Sequence, residues 1–319
     1  MGSTLTIAQK TIRPGKDIQV NLQIGRLPSR TRIEVPVYIS RAETDGPVLL
    51  LLAGLHGDEI NGVEILRRML KDALHKPQKG TVICIPVLNI FGFINHSRQV
   101  PDGKDVNRFF PGSKHGSLAG IIAYNLMQEI VPKIDVGIDF HTGGARRANY
   151  PQVRCMLDDP VNAELASVFE APFTLHARYR TNSLRYAASQ LGKRIIVYEG
   201  GESLRFDEFS IQEGIDGALR VMHHLGMREE APPPSELNRV IMKATWIRAR
   251  VAGLFHLNVK CGDQVKRNQL IGTISDPFGE EEVKLKATAK GYVIGLNHNP
   301  VVNRGDALVN IGIEEINSL

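Results

Sequence analysis

Cysteine is scarce in this 319-residue chain. Cys84, Cys155 and Cys261 are odd in number, widely separated and in no paired motif, which excludes a disulfide framework and a cysteine zinc site and fits a reducing compartment. The opening residues, MGSTLTIAQKTIRPGKD, hold no apolar stretch of signal-peptide length, and the longest apolar run, Val48 to Leu55, is far too short to cross a bilayer. The sequence therefore predicts a cytoplasmic protein with no membrane partner. Charge of one sign is nowhere concentrated: the net +5 comes from scattered Lys and Arg, without a basic block or an interleaved aromatic stripe, so no nucleic-acid partner is expected. Such a balance would steer a small anionic substrate, although a solvated surface accounts for it more simply. With 42% hydrophobic and 23% charged residues, neither a disordered nor a fibrous class fits. The length suffices for one large α/β domain with a small companion, or for two medium ones.

Short alternating runs such as RIEVPVYI between Ile18 and Ile39, broken by Gly25, Pro28 and Pro36, predict leading strands. Val48 to Ala53 is continuously apolar, as a strand buried on both faces must be, and it runs straight into GLHGDE. Val63, Leu66, Met69 or Leu70, and Ala73 or Leu74 then recur at helical spacing, giving strand, loop, helix. The alternation continues with a strand over Thr81 to Leu88, a helix over Ala119 to Ile130, and VGIDFH ending at His141. Helices over Val161 to Phe169 and Ser183 to Leu191 follow, then an apolar strand, Ile195 to Tyr198, that runs into glycines. This predicts an α/β sandwich.

Pro232, Pro233 and Pro234 cannot continue the helix before them and favour an extended spacer. The domain boundary is placed there, with a catalytic domain over 1–231 and a second domain over 235–319. From about Arg239 to Ile316, short Val- and Ile-containing runs alternate with turn signals such as CGD, DPFGE and NRGD, which predicts a small all-β domain. VKCGDQVKRNQLIG and PVVNRGDALVNIG are loosely alike, as in a pseudo-twofold β sandwich.

Catalytic zinc needs about three protein ligands of imidazole and carboxylate type, with a position left open. His56 and Glu59 supply two, three residues apart where a buried strand gives way to a helix, so both can point into the crevice beyond the strand ends. An HxxE pair alone also fits a capped helix start carrying a surface histidine. The context favours the metal: a fully apolar strand precedes the pair, and Gly54 and Gly57 permit close backbone approach. His141 also ends an apolar strand and precedes Thr142, Gly143 and Gly144, so it can reach the same sheet edge as a third ligand. His223 and His224 lie on a late helix and read as a surface pair, and Tyr198 reads as core packing.

At these residues the chain resembles a known family. GLHGDEINGVE, GKDVNRFFPG, IDFHTGG and VYEGGES, in this order, are similar to motifs of the succinylglutamate desuccinylase and aspartoacylase family, related in fold to the zinc carboxypeptidases. The C-terminal stretches LFHLNVKCGDQVKRNQLIG and KGYVIGLNHNPVVNRGDALVNIG also resemble the small β domain of bacterial members. The resemblance implies a zinc-carboxypeptidase-like α/β/α sandwich with a mixed sheet, plus a small C-terminal all-β domain. It implies one Zn2+ per chain held by His56, Glu59 and His141, and hydrolysis of the amide bond of a small anionic N-acylated amino acid. Glu199 matches the general base; read by itself, EGG at a strand end is a glutamate facing solvent. Asn107 and Arg108 match the pair that grips a substrate carboxylate, a task for which the planar guanidinium is suited. Asp105 would orient a zinc-bound histidine, His56 by preference, and Arg98 resembles the arginine that stabilises the oxyanion. The chain departs from the pattern at Val106, where leucine is usual, and in a longer RQVPDGKD link between Arg98 and Asp105. An upstream arginine that holds the substrate's acidic end would be Arg180 or Arg185.

Two rivals stand beside the deacylase reading. Asn107 and Arg108 would serve a metallocarboxypeptidase acting on peptides equally well, and a catalytically silent binding protein would keep the same fold. The C-terminal segment is expected to narrow the crevice mouth without supplying catalytic groups. Homo-oligomerisation stays open.

Overall fold

The computed structural model describes residues 4–27, 29–235 and 237–314. Pro28, Ile316 and the first three residues of the opening stretch therefore lie outside the described residues. A hairpin of β1 (Leu5–Ile7) and β2 (Lys10–Ile12) precedes β3 (Lys16–Arg26) and β4 (Arg32–Arg41), which pair antiparallel from Lys16↔Arg41 to Arg26↔Arg32. Then come β5 (Thr44–Ala53), α1 (Ile60–Lys71), β6 (Lys79–Ile85) and α2 (Ile90–Ile94). The strand expected up to Leu88 stops at Ile85, because Pro86 has no N–H for a ladder. After a 3-10 turn at Val106–Arg108 follow α3 (Leu118–Glu129), β7 (Val136–Gly143), β8 (Arg147–Cys155), α4 (Pro160–Phe169) and β9 (Phe173–His176). The series closes with α5 (Leu184–Gln190), β10 (Arg194–Glu202) and α6 (Glu208–His224).

The core of the sheet is parallel where its strands are wholly apolar. β6, β5, β7 and β10 lie side by side in parallel register, Leu51 facing Ile138 and Cys84 on either side, while β8 joins β10 antiparallel. Period-2 alternation sends neighbouring residues of each strand to opposite faces. Leu50, Leu52, Ile83 and Ile195 pack with residues of α3 and α5, while Leu49, Leu51, Val82 and Ile196 pack with residues of α1, α4 and α6. Helices thus cover both faces of a mixed sheet, an α/β/α sandwich. No helix among the described residues is long and apolar enough to cross a membrane.

After Pro234 every described element is a strand: β11 (Arg239–Arg248), β12 (Gly253–Leu257), β13 (Gln264–Val265), β14 (Leu270–Ser275), β15 (Glu282–Lys286), β16 (Gly291–Asn297), β17 (Val301–Val302) and β18 (Ala307–Glu314). β12–β13–β14 and β16–β17–β18 repeat the same long, short, long pattern and exchange their short strands: β17 pairs with β12, and β13 with β16. The two loosely alike stretches are the second and third strands of each set. Ile271, Ile274, Val293 and Ile311 fill the core between the resulting layers.

This segment shares main-chain hydrogen bonds with the first. β11 runs parallel to β9, β16 runs antiparallel to β8, and β18 joins β11 to β16, so β8, β9, β11, β18 and β16 form a closed circuit. Phe173, Leu175, Ile241 and Ile294 pack at the junction. One wall of the sheet's C-terminal crevice is therefore made by strands from beyond the proline spacer.

Candidate metal centre

At the end of β5 the chain turns through Gly54, whose φ of +62 falls in the left-handed region. The loop then presses against α2: a Cβ on Gly57 would stand 1.8 Å from the Gly92 carbonyl carbon, so only glycine fits. This fixes the loop that carries His56 and puts Glu59 at the N-cap of α1. β7 lies next to β5 and carries Asp139 and His141, two residues apart and so on one face. His56, Glu59 and His141 are all buried, and one ligand atom from each lies within 4.8 Å of the others.

Both imidazoles are oriented in the same way. His141 has Nδ1 2.7 Å from Glu59 Oε2 and Nε2 2.8 Å from Asp139 Oδ2. His56 has Nε2 3.1 Å from Asp105 Oδ1 and Nδ1 2.8 Å from Glu59 Oε1. The last contact is close but badly aligned, and Nδ1 of His56 is a buried nitrogen with no hydrogen-bond partner among the described residues. Two inner nitrogens converging on one carboxylate, each ring held from behind by an aspartate, is the arrangement of a carboxylate–histidine–metal site. The donor set, two imidazoles and one carboxylate, suits zinc with an open position.

The charges explain why the cluster is stable as it stands. Burial alone would favour neutral imidazoles, but Asp139 and Glu59 raise the pKa of His141 well above its ordinary value, and Glu59 and Asp105 raise that of His56. Burial would likewise raise the Glu59 carboxyl, yet the two imidazoles bring it well below the usual range. Asp105 is lowered too: desolvation opposes the shift, and the His56 hydrogen bond and the Arg98 charge outweigh it. Protons here do what a divalent cation would do on binding, when they leave.

A cavity of about 490 Å3 opens over this cluster. Glu199 faces it from β10, in register with His141 on β7. Its Oε2 accepts from Asn149 Nδ2 at 2.7 Å, and Arg154 Nη1 lies 3.3 Å from its Oε1. Arg98 donates from Nη1 to Glu59 Oε1 at 3.1 Å and from Nε to Asp105 Oδ2 at 3.0 Å. Asp105 also caps its own 3-10 turn through Asn107 N–H. Asn107 Oδ1 accepts from Leu184 N–H at 2.9 Å, and Arg108 donates to the Asn107 carbonyl; both residues line the cavity. Burial lowers the Arg108 pKa, and the charges of Arg180 and Arg98 add to it. His56, Glu59, Arg98, Asn107, Arg108, His141 and Glu199 thus line one crevice, and Asp105 stands behind it against His56 and Arg98.

Arg180 and Arg185 also line it, in different states. Arg185 Nη1 is bound by the Arg154 and Ala177 carbonyls, whereas the Arg180 side chain has no hydrogen-bond or ion-pair partner among the described residues. Tyr198 is buried and donates to the Ser210 carbonyl at 2.6 Å, and His224 stands 3.1 Å from Glu164 on the surface. Asp139 escaped the sequence reading, although an aspartate two residues before a strand-end histidine is a usable signal. Asn149, Arg154, Arg147, Trp246 and Asn310 escaped it because they come from β8, β11 and β18, whose place beside the crevice depends on long-range pairing.

Comparison with known proteins places the chain in a family and matches its fold. Residues 45–225, more than half of the chain, match the family described as the succinylglutamate desuccinylase/aspartoacylase catalytic domain. A curated relative, the N-alpha-acetyl-L-2,4-diaminobutyric acid deacetylase of Halomonas elongata, is 29% identical over 309 residues, covering 90% of this chain and 87% of the relative. The crystal structure of a succinylglutamate desuccinylase/aspartoacylase from Rhodobacter sphaeroides superposes with a TM-score of 0.83 at 24% identity, over 95% and 97% of the two chains. The product-bound ectoine utilization protein EutE (DoeB) of Ruegeria pomeroyi gives 0.85 at 22% identity, over 98% and 100%. At these identities the structural likenesses speak for the fold.

Proposed function

Because this chain belongs to the succinylglutamate desuccinylase/aspartoacylase family, we propose that it is a zinc-dependent deacylase that hydrolyses the amide bond of a small N-acylated amino acid. The observation that carries this reading is the convergence of His56 Nδ1 and His141 Nδ1 on Glu59, with an aspartate behind each ring. The deacetylase activity in the name of the Halomonas relative supports the same reaction class.

In this reading His56, Glu59 and His141 hold one Zn2+, which when bound acts as a Lewis acid toward the amide carbonyl and lowers the pKa of water. Glu199 takes the proton of the attacking water and returns it to the leaving nitrogen. Asn149 and Arg154 each occupy one oxygen of its carboxylate, which fixes its direction and leaves a further lone pair on each oxygen. Arg98 meets the oxygen on which charge develops. Asn107 offers its amide NH2 and Arg108 its guanidinium to the substrate carboxylate, and Arg180, without a partner of its own, is the better choice than Arg185 for a second anionic contact.

We take residues 1–231 as the catalytic unit, zinc-carboxypeptidase-like in its layers, and 235–319 as a second unit closing one side of the crevice. The three cysteines are free thiols, which suits a cytoplasmic setting. The test is a screen of zinc-loaded protein against succinyl-, acetyl- and formyl-amino acids with release of free amine as readout. Amine from at least one class is expected, and none from any would overturn the reading.

A further inference from the structure

A second cavity, of about 430 Å3, lies where the C-terminal strands meet the start of α6. Its walls are apolar: Tyr150 from β8, Phe206 and Phe209 from the entry to α6, and Leu257, Val259 and Leu296 from beyond the proline spacer. The shape is fixed before anything enters. The rings of Tyr150 and Phe209 stand 5.6 Å apart, and the Gly262 turn lies so close on Tyr150 that a Cβ there would come within 2.6 Å of the ring. Phe206 and Phe209 bring this apolar lining out to the surface, at 65% and 48% exposure.

The same chain carries a side chain of matching chemistry. Phe278 is 85% exposed at the tip of the β14–β15 hairpin and belongs to no core cluster among the described residues. Asp276 makes the tip rigid: its carboxylate accepts from the N–H groups of Phe278 and Glu281, and its own N–H donates to the Glu281 carbonyl. A ring on a fixed loop loses little freedom when it docks. The hairpin cannot reach its own cavity. Leu257 faces Gly272 in the β12–β14 ladder, whereas the tip leaves from the opposite end, beyond the Leu254↔Ser275 pair.

We propose that Phe278 of one copy enters this cavity in a second copy of the chain, and the reverse, giving a dimer with two-fold symmetry. Reciprocal exchange closes the contact at two copies instead of propagating a chain. Charge complementarity selects this occupant. The tip and the first residue of β15 read DPFGEEE, four carboxylates without a cation, which an anionic lipid surface or a nucleic acid would repel. On the cavity rim, Glu202 is engaged by His298 at 2.9 Å and faces Arg205 at 3.7 Å, and Asp207 is turned to the N-terminus of α6 by the Ser210 N–H. Two cations are left to meet the acidic loop: Lys260, exposed and without an ion-pair partner among the described residues, and the outer edge of Arg205, 77% exposed. The contact does not depend on the reaction read at the metal centre.

The full chain is followed by sedimentation velocity from about 1 to 300 µM, a range suited to a small interface with an aromatic anchor. A reversible dimer is expected. Phe278→Ser should weaken it at least about thirtyfold, as loss of a buried aromatic anchor does, and Phe278→Trp should keep it. Phe209→Arg, which sets a cation in the cavity mouth, should weaken it to a similar extent. Both Phe278 and Phe209 are exposed in the single chain, so the variants should unfold at the same temperature as the unaltered protein. A chain that stays monomeric through the range, or a dimer that survives Phe278→Ser, overturns the proposal. So does a dimer that Phe278→Ser breaks and Phe209→Arg spares, because the ring then docks elsewhere. A monomer that floats with phosphatidylcholine–phosphatidylserine vesicles only when Phe278 is present assigns the ring to a membrane, and the second copy falls as its partner.

Discussion

The carboxylate of Asp139 lies 2.8 Å from Nε2 of His141, on the side of the ring away from Glu59. The contact fixes which nitrogen of His141 faces the cluster and makes that nitrogen a better donor to a metal. Asp139→Asn keeps the shape and removes the charge. Zinc affinity, measured by competition with a chelator, is expected to fall about 10- to 100-fold with the fold intact. Unchanged affinity would show that Asp139 is only a buried partner of the ring.

The same charges set a pH dependence. In the metal-free protein His56 and His141 have pKa values raised above the unfolded one, which is 6.5. The stability they contribute is fully present below pH 6.5 and is lost as pH rises through the folded values. Zinc competes with those protons, so its stabilising effect runs the other way and grows over the same window. The rise in Tm on adding zinc should be larger at pH 8 than at pH 6. At a free concentration one hundred times Kd it corresponds to about 2.7 kcal/mol. A zinc-induced shift that is flat with pH, or that shrinks toward pH 8, counts against His56 and His141 as the ligands.

The extent to which this site could be read in the chain follows from where each residue's neighbours come from. β5, β7 and β10 are buried on both faces, so their apolar runs are visible by themselves, and the residues at their ends inherit a predictable place at the sheet edge. His56, Glu59, His141 and Glu199 belong to that group. β8 reads RANYPQVRC, polar and interrupted by proline, and is a strand because β10, β9 and β16 all hydrogen-bond to it. Arg147, Asn149 and Arg154 could not be placed before that pairing was known. Trp246 and Asn310 are further removed still, since the ladder that turns them toward the crevice joins strands on the far side of the proline spacer.

Glu199 offers a separation of binding from turnover. Glu199→Gln retains the contact with Asn149 or Arg154 through its carbonyl oxygen but accepts no proton at neutral pH. Zinc content should stay the same while kcat falls about a hundred- to ten-thousand-fold. Near-normal turnover in a fully zinc-loaded variant would exclude Glu199 as the base and direct attention to Asp105, held against His56.

Removing the C-terminal strands tests whether they are a detachable cover. A cover that only narrows the mouth could be cut away at about Ser235 to leave a soluble enzyme with relaxed size selection. The strand pairing argues for a different outcome. β11 is hydrogen-bonded to β9 through Arg239↔Phe173 to Ile241↔Leu175, and β16 to β8 through Gly295↔Asn149 and its neighbours. Cutting them off leaves two unpaired strand edges side by side and bares Phe173 and Leu175, which are buried against Ile241 and Ile294. Exposed edges next to apolar surface are templates for intermolecular pairing. The truncated chain should therefore aggregate on expression and remain insoluble under conditions in which the full chain is soluble. Recovery of a monodisperse, zinc-loaded truncated protein by size-exclusion chromatography would show that residues 1–235 fold without those partners. In that case an unchanged preference for small acylated amino acids over peptides would remove the gating role from β11 and β18 as well.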